Sequence, residues 1–310
     1  MFGQILLLSL SIGYIQLATS KPSVDQWIAA LEQSNSTLLQ YPTQLTQNIV
    51  PKAIHSHNDY WRDVPLLSAL SFGVASVEAD VWLLNGTLFV GHEEAALTPH
   101  RTFDSLYIQP LLHVLNAQNP KNEFTVNQTT PNGVFDTSSS TSLHLLVDIK
   151  TNGTEALPFI LKALQPLRSA GYLTTSTSGN VTKSAVTVIG TGNSPLDGVK
   201  ALEPRDYFFD GPLISLNDTS TNTTWDASLA PIASTDYGVA VGWAGITGIS
   251  DAQRSTILTL VNDAHTRGIQ ARFWDTPGWP VGARDAVWRE LLDDGADWLN
   301  ADDLEAAAKF

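Results

Sequence analysis

From Lys52 onward, short apolar runs alternate with longer stretches whose apolar residues recur at helical spacing. The runs "KAIHSH", "ASVEADVWL", "LHLLVDIKT", "AVTVIGTG", "YFFDGPLI", "YGVAVGW", "IQARFWDT" and "ADWLNAD" read as strands. Between them, "PLLSALSFG", "DSLYIQPLLHVLNAQ", "EALPFILKALQPLRSAG", "QRSTILTLVNDAHTRG" and "ARDAVWRELLDDG" read as helices. Several end in the glycine that commonly follows a helix C-terminus. Strand–helix alternation builds a parallel sheet, and eight strands in roughly 260 residues match a (β/α)8 TIM barrel, typically about 250 long. The fifth and sixth units are the least regular. A doubly wound open sheet is the alternative, but no Gly-x-Gly-x-x-Gly follows the first strand, and "GTGNSP" lacks the third glycine.

Three polar segments interrupt the pattern, at 119–142, 174–184 and 217–234. The first two precede strands and fall on the barrel's stability face. The third follows a strand, which places it and its Trp225 on the active-site face, with a surface anchor as the plainer role for that tryptophan. The organisation expected is a leader at 1–20, a helical N-terminal extension at 21–50 containing "VDQWIAALEQ", and a single barrel domain at 51–310.

Residues 1–20 carry no charge and have an apolar centre ending in Ala18-Thr19-Ser20, the pattern of a signal peptide cut near Ser20. An uncleaved anchor is the alternative; no later run is long and apolar enough to span a bilayer. Seven glycosylation sequons follow, at Asn35, Asn85, Asn127, Asn152, Asn180, Asn217 and Asn222. Leader and sequons together point to a secreted glycoprotein; a monomer is expected. The 310 residues include no cysteine, so an exported chain must rely on the size of its core. A net charge of −14 argues against nucleic acid and anionic membranes as partners and leaves zwitterionic or small substrates open.

The chemistry-bearing residues fall at strand ends, where a barrel places its active site. His55 and His57 end the first strand, followed by Asn58; Glu78 and Asp80 sit late in the second; Asp148 and Lys150 end the third; Trp274 and Asp275 end the seventh; Asn300 and Asp302 end the eighth. Singly, each has a plain explanation: Asp275 as a helix cap, Lys150 as a counter-ion for Asp148, His57 and Asn58 as turn residues. Their convergence on one rim is what argues for a site.

Residues two apart on a strand share a face, so Glu78 and Asp80 repel unless a cation faces them. With Asp148 they form an all-oxygen set suited to Mg2+, and less to Ca2+, which takes more ligands. His55 and His92 are left to move protons, and Lys150 adds positive charge for a phosphate. Such a set serves phosphodiester cleavage.

The pattern "HSHN…VEADV…VGHE…VDIK…FWD…GADWLNADD" resembles the phospholipase C-like phosphodiesterases, which include glycerophosphodiester phosphodiesterases and the venom and fungal sphingomyelinase D enzymes. Through "IHSHNDYWRDVPLLSALSFGVASVEADVWL" it is most similar to the fungal altered inheritance of mitochondria protein 6 family. The resemblance implies a TIM barrel acting on a phospholipid, lysophospholipid or glycerophosphodiester. It implies catalytic roles for His55 and His92, Mg2+ ligation by Glu78, Asp80 and Asp148, and substrate contacts from Lys150, Trp274 and Asp302; His57 and Asn58 are further substrate-binding candidates by their place at the strand end. The chain departs from the glycerophosphodiester pattern in lacking His-Arg-Gly and Glu-Asn, from the venom pattern in lacking a disulfide, and in carrying Asp275 after the tryptophan.

Three rivals stand beside this reading. An amidohydrolase-like barrel shares the His55-Ser56-His57 arrangement but needs later histidines that the fifth and sixth strands lack. A glycoside hydrolase sets its carboxylates across the sugar, not side by side on one strand. A non-catalytic barrel binding a phospholipid or glycan keeps the fold without the turnover.

Overall fold

The computed structural model describes residues 23–34, 39, 41 and 43–310; the leader and the Asn35 sequon lie outside the described residues. The chain divides between Tyr41 and Pro42 into two units. In the first, α1 (Val24–Gln33) opens with a capping box, in which Ser23 Oγ accepts from the Gln26 N–H and Gln26 Oε1 accepts from the Ser23 N–H.

The second unit begins with β1 (Lys52–Ser56), α2 (Leu67–Ser71), β2 (Val74–Leu84) and β3 (Thr87–Val90). It continues through α3 (Gln109–Gln118), β4 (Leu143–Ile149), α4 (Gly153–Ala163), α5 (Gln165–Ser169) and the small hairpin β5 (Thr175–Thr177) and β6 (Asn180–Thr182). Next come β7 (Val186–Gly192), α6 (Leu196–Lys200), β8 (Phe208–Pro212), β9 (Ile232–Asp236) and α7 (Tyr237–Ala240). The chain finishes with α8 (Asp251–His265), β10 (Gln270–Trp274), α9 (Val281–Asp293), β11 (Leu299–Ala301) and α10 (Leu304–Lys309).

The parallel strands lie in the order β10-β9-β8-β7-β4-β2-β1-β11. A parallel bridge between Arg272 and Trp298, and an Asp297 N–H donated to the Ala271 carbonyl at 3.1 Å, join the two ends into a TIM barrel. Alternation along the strands sorts their residues. On β2, Val77, Ala79 and Val81 are wholly buried on one side, while Ser76, Glu78 and Asp80 share the opposite one.

Two expectations are corrected. The sixth strand is not "YGVAVGW" but Ile232–Asp236, paired with β8 through Asp210/Ile232 and with β10 through Gln270/Ile232. Asp236 Oδ1 accepts from the Val239 N–H at 2.9 Å, so a helical turn starts where the valine-rich alternation reads as strand. The third polar segment runs between the carboxyl end of β8 and the amino end of β9, where the repeating unit places its helix. Its Trp225 is buried against Phe209, with ring centroids 5.9 Å apart, and does not reach the active-site cavity.

Candidate active site

A cavity of about 330 Å³ opens at the carboxyl ends of the strands, lined by His57, Asn58, Glu78, Asp80, His92, Asp148, Lys150, Thr191, Gly192, Arg272 and Trp274. The sheet register sets Asp80 on β2 opposite Asp148 on β4. With Glu78, two residues back along β2, they offer oxygens all within 4.8 Å of one another. Lys150 Nζ bridges the pair, 2.9 Å from Asp80 Oδ2 and 3.0 Å from Asp148 Oδ2.

Lys150, even with the Arg272 guanidinium 4.0 Å from Glu78 Oε1, does not fully offset three buried carboxylates. Burial, reinforced by the charges of Glu78 and Asp148, pushes the Asp80 carboxyl up to about 6. Burial also raises Asp148 despite Lys150. The all-oxygen donors and their residual repulsion fit a hard divalent cation such as Mg2+.

The β2–β3 hairpin delivers His92. Trp82 Nε1 donates to the Gly91 carbonyl at 2.7 Å and holds the return run in place. His92 Nδ1 lies 3.0 Å from Tyr60 Oη and 3.4 Å from Asp80 Oδ2. The Tyr60 hydroxyl has one proton, facing Asp80 Oδ2 at 2.7 Å and Asn58 Oδ1 at 2.5 Å. His92 Nδ1 therefore carries its own hydrogen, leaving Nε2 as the acceptor of the neutral ring.

The two histidines of β1 part company. His55 is fully buried: Nδ1 lies 2.7 Å from Ser76 Oγ, and Nε2 has no hydrogen-bond partner among the described residues. That Nε2 lies 4.0 Å from Glu78 Oε2, and His55 does not line the cavity. Burial, then the nearby Arg272 charge, holds its pKa well below the usual range. His57 does line the cavity, and its Nδ1 sits 2.9 Å from Asp302 Oδ1. Burial alone would lower His57, but the Asp302 hydrogen bond and the Glu78 charge outweigh it and raise the pKa.

Asn58 takes a left-handed backbone, φ 48°, which turns its N–H onto Glu78 Oε2 at 2.9 Å. Trp274 lines the cavity, whereas Asp302 lies in an adjoining one that shares His57.

Sequence reasoning missed four contributors. Arg272, buried on β10, is fixed by Asn300 Oδ1 at 3.0 Å and Ser234 Oγ at 3.2 Å, and faces Glu78 Oε1 at 4.0 Å. An arginine inside "IQARFW", two before Trp274 and so on its face of the strand, was the available signal. Asp210 on β8, raised to about 6 by burial, lies 3.9 Å from that arginine. Tyr60 ties Asp80 to His92. Gly192, φ 61°, leaves room for Asp148, because a Cβ there would lie 2.0 Å from Asp148 Oδ1.

Fold and site together define a TIM barrel with a carboxylate-rich centre at its catalytic rim, and residues 43–210 match the AIM6-like phosphodiesterase domain. The chain is 46% identical over 290 residues to altered inheritance of mitochondria protein 6 homolog of Arthroderma benhamiae, covering 90% of each chain. It is 36% identical to altered inheritance of mitochondria protein 6 of Eremothecium gossypii, covering 86% of this chain and 72% of that one. The chain belongs to the altered inheritance of mitochondria protein 6 family, and its domain is of the phosphodiesterase type. Among solved structures, a glycerophosphodiester phosphodiesterase from Parabacteroides distasonis aligns at TM-score 0.48 and 12% identity, over 84% of this chain and 97% of that one.

Proposed function

We propose that the protein is a Mg2+-dependent phosphoric diester hydrolase or transphosphatidylase acting on a phospholipid, lysophospholipid or glycerophosphodiester. The observation that carries this reading is the trio Glu78, Asp80 and Asp148, drawn together within 4.8 Å beside Lys150 and Arg272. These carboxylates would hold the ion, whose chemistry is neutralisation of the charge on the phosphodiester oxygens.

The chain's own groups do the rest. Lys150 and Arg272 face the same cavity and add positive charge where the transition state gathers negative charge. His92, half-exposed at the lip with Nδ1 held by Tyr60 and Asp80, presents Nε2 for proton transfer. His57, on the cavity wall with Nε2 3.9 Å from Glu78 Oε2, is the second proton-transfer group; His55, expected from the sequence to fill that role, is fully buried behind Glu78 and acts on that carboxylate instead of on substrate. Trp274 walls the head group.

Phosphorus NMR of the purified protein with lysophosphatidylcholine, sphingomyelin, glycerophosphocholine and phosphatidylinositol, with Mg2+ or EDTA, tests the reading. A new Mg2+-dependent resonance is expected, its shift separating cyclic phosphate from monoester. Absence of turnover on every diester would sink the hydrolase reading in favour of a binding barrel.

The leader and the sequons support export as a glycoprotein. All six described sequon asparagines are exposed; of these, Asn217 Nδ2 is engaged by Asp263 and Asn152 Oδ1 caps α4. An endoglycosidase mobility shift of the protein recovered from culture medium is the check.

A further inference from the structure

Large apolar side chains stand in water along one arc of the active-site rim. Trp61 is 62% exposed, Val239 77%, Ile246 74% and Trp279 80%, with Val64 and Val281 about half exposed beside them. These residues come from the loops after β9, β10 and β1, and β10, β11 and β1 follow one another around the closed barrel. Their loops are packed together. Gly238 of α7 abuts Asp275, where a Cβ would lie 3.5 Å from its Oδ2. Gly245 backs onto the Ala283 carbonyl at the start of α9, where a Cβ would lie 2.2 Å away. Arg62 Nη2 donates to the Asp302 carbonyl at 2.8 Å and ties the β1 loop to the β11 loop.

The arc borders the polar cavity directly. The Trp61 ring meets His92 edge-on, centroids 5.5 Å apart. Trp279 and Val281 line a second cavity of about 360 Å³ that shares His57 with the first. Exposed apolar side chains on several loops beside a charged pocket suit a ligand that is itself ionic at one end and hydrocarbon at the other. Tryptophan, apolar in body with a polar N–H, favours the boundary of a lipid layer.

Charge selects the kind of lipid. Asp63, Asp275, Asp285, Asp302 and Asp303 lie along this arc. Its two arginines are engaged, Arg62 by backbone carbonyls and Arg284 by Asp285 and Asp303. With a net charge of −14 and no unengaged arginine on this arc among the described residues, an anionic surface is disfavoured, whereas a zwitterionic one presents its ammonium groups outermost.

We infer that this rim docks on a zwitterionic lipid surface, with Trp279, Ile246 and Val239 entering the interface and the catalytic mouth facing the head groups. The inference rests on the phosphodiesterase reading for what the cavity takes, but the docking itself is tested without turnover.

The full chain is floated with phosphatidylcholine vesicles and, separately, phosphatidylglycerol vesicles, beside Trp279→Ser, Ile246→Ser and the double variant. The wild type is expected to float with phosphatidylcholine in preference to phosphatidylglycerol, and the double variant to lose at least about tenfold in affinity. The double variant should hydrolyse soluble glycerophosphocholine as the wild type does and lose rate on lysophosphatidylcholine micelles. Should the variants precipitate, quenching of wild-type tryptophan fluorescence by brominated phosphatidylcholine replaces them, and an unquenched signal overturns the inference. So does a wild type that stays with the pellet, a double variant that floats normally, or a Trp279-dependent dimer that ignores vesicles. Vesicle binding without turnover of any diester would remove the hydrolase reading and leave the docking surface intact.

Discussion

Glu78 and His92 sit in one cavity and answer to different tests. Glu78→Gln removes a charged oxygen from the trio and should weaken Mg2+ binding, read by calorimetry, together with turnover. His92→Ala leaves the trio intact, so Mg2+ binding should persist while kcat falls about 10²–10⁴-fold, the usual contribution of a proton-transfer group. A His92→Ala protein with unchanged kcat would remove that assignment. Tyr60→Phe deletes the hydroxyl between Asp80 and His92 without touching the cavity wall. A loss of about 10–100-fold in kcat is expected, the scale seen when a supporting hydrogen bond to a site residue goes. At this scale the sequence was informative about residue types and weak on orientation. His55 and His57 stand two apart and read alike, yet one is buried behind Glu78 and the other lines the cavity.

At the scale of elements, β4 and β7 illustrate how strand neighbours act on the site. Gly192 ends β7 with φ 61° directly against the Asp148 carboxylate. Gly192→Ala should strain the backbone by about 1–3 kcal/mol and push Asp148 out of register with Asp80, visible as weakened Mg2+ binding in a folded protein. At the other end of β4, the His144 ring lies tilted against Trp298 with centroids 4.7 Å apart, and burial lowers its pKa from 6.5 to about 4. The unfolded chain therefore takes up this proton first as the pH falls. Stability should drop progressively between pH 6.5 and about 4 and level off below, by up to about 3 kcal/mol from this group. His144→Leu should flatten that part of a denaturation-against-pH curve; an unchanged slope would refute the assignment. The sixth strand shows where reading by element failed. Alternation favoured Tyr237–Trp243, but the capping carboxylate of Asp236 and two flanking ladders fixed the strand five residues earlier.

For the whole molecule, the proposed metal site would link metal binding to folding, because the trio exists only once β2 and β4 are paired. Saturating Mg2+ should raise the melting temperature, with about 2.7 kcal/mol gained at a hundredfold excess over Kd, and EDTA or Glu78→Gln should abolish the shift. A wild-type melting temperature indifferent to Mg2+ would argue that the trio holds no such ion.

The sequence by itself determined the barrel and most of the site's membership. Strand and helix periods are local properties of the chain, and ionisable residues at strand ends are conspicuous against apolar runs. That was enough to single out Glu78, Asp80, Asp148, Lys150, His92 and Trp274, all of which line the cavity. Only the tertiary structure decided which imidazole of β1 reaches it, that Arg272, Tyr60 and Asp210 belong with the trio, and that the exposed tryptophans of separate loops form one arc. Those facts depend on which strands become neighbours and which way side chains turn, and both follow from closure of the sheet, a long-range property that no local pattern encodes.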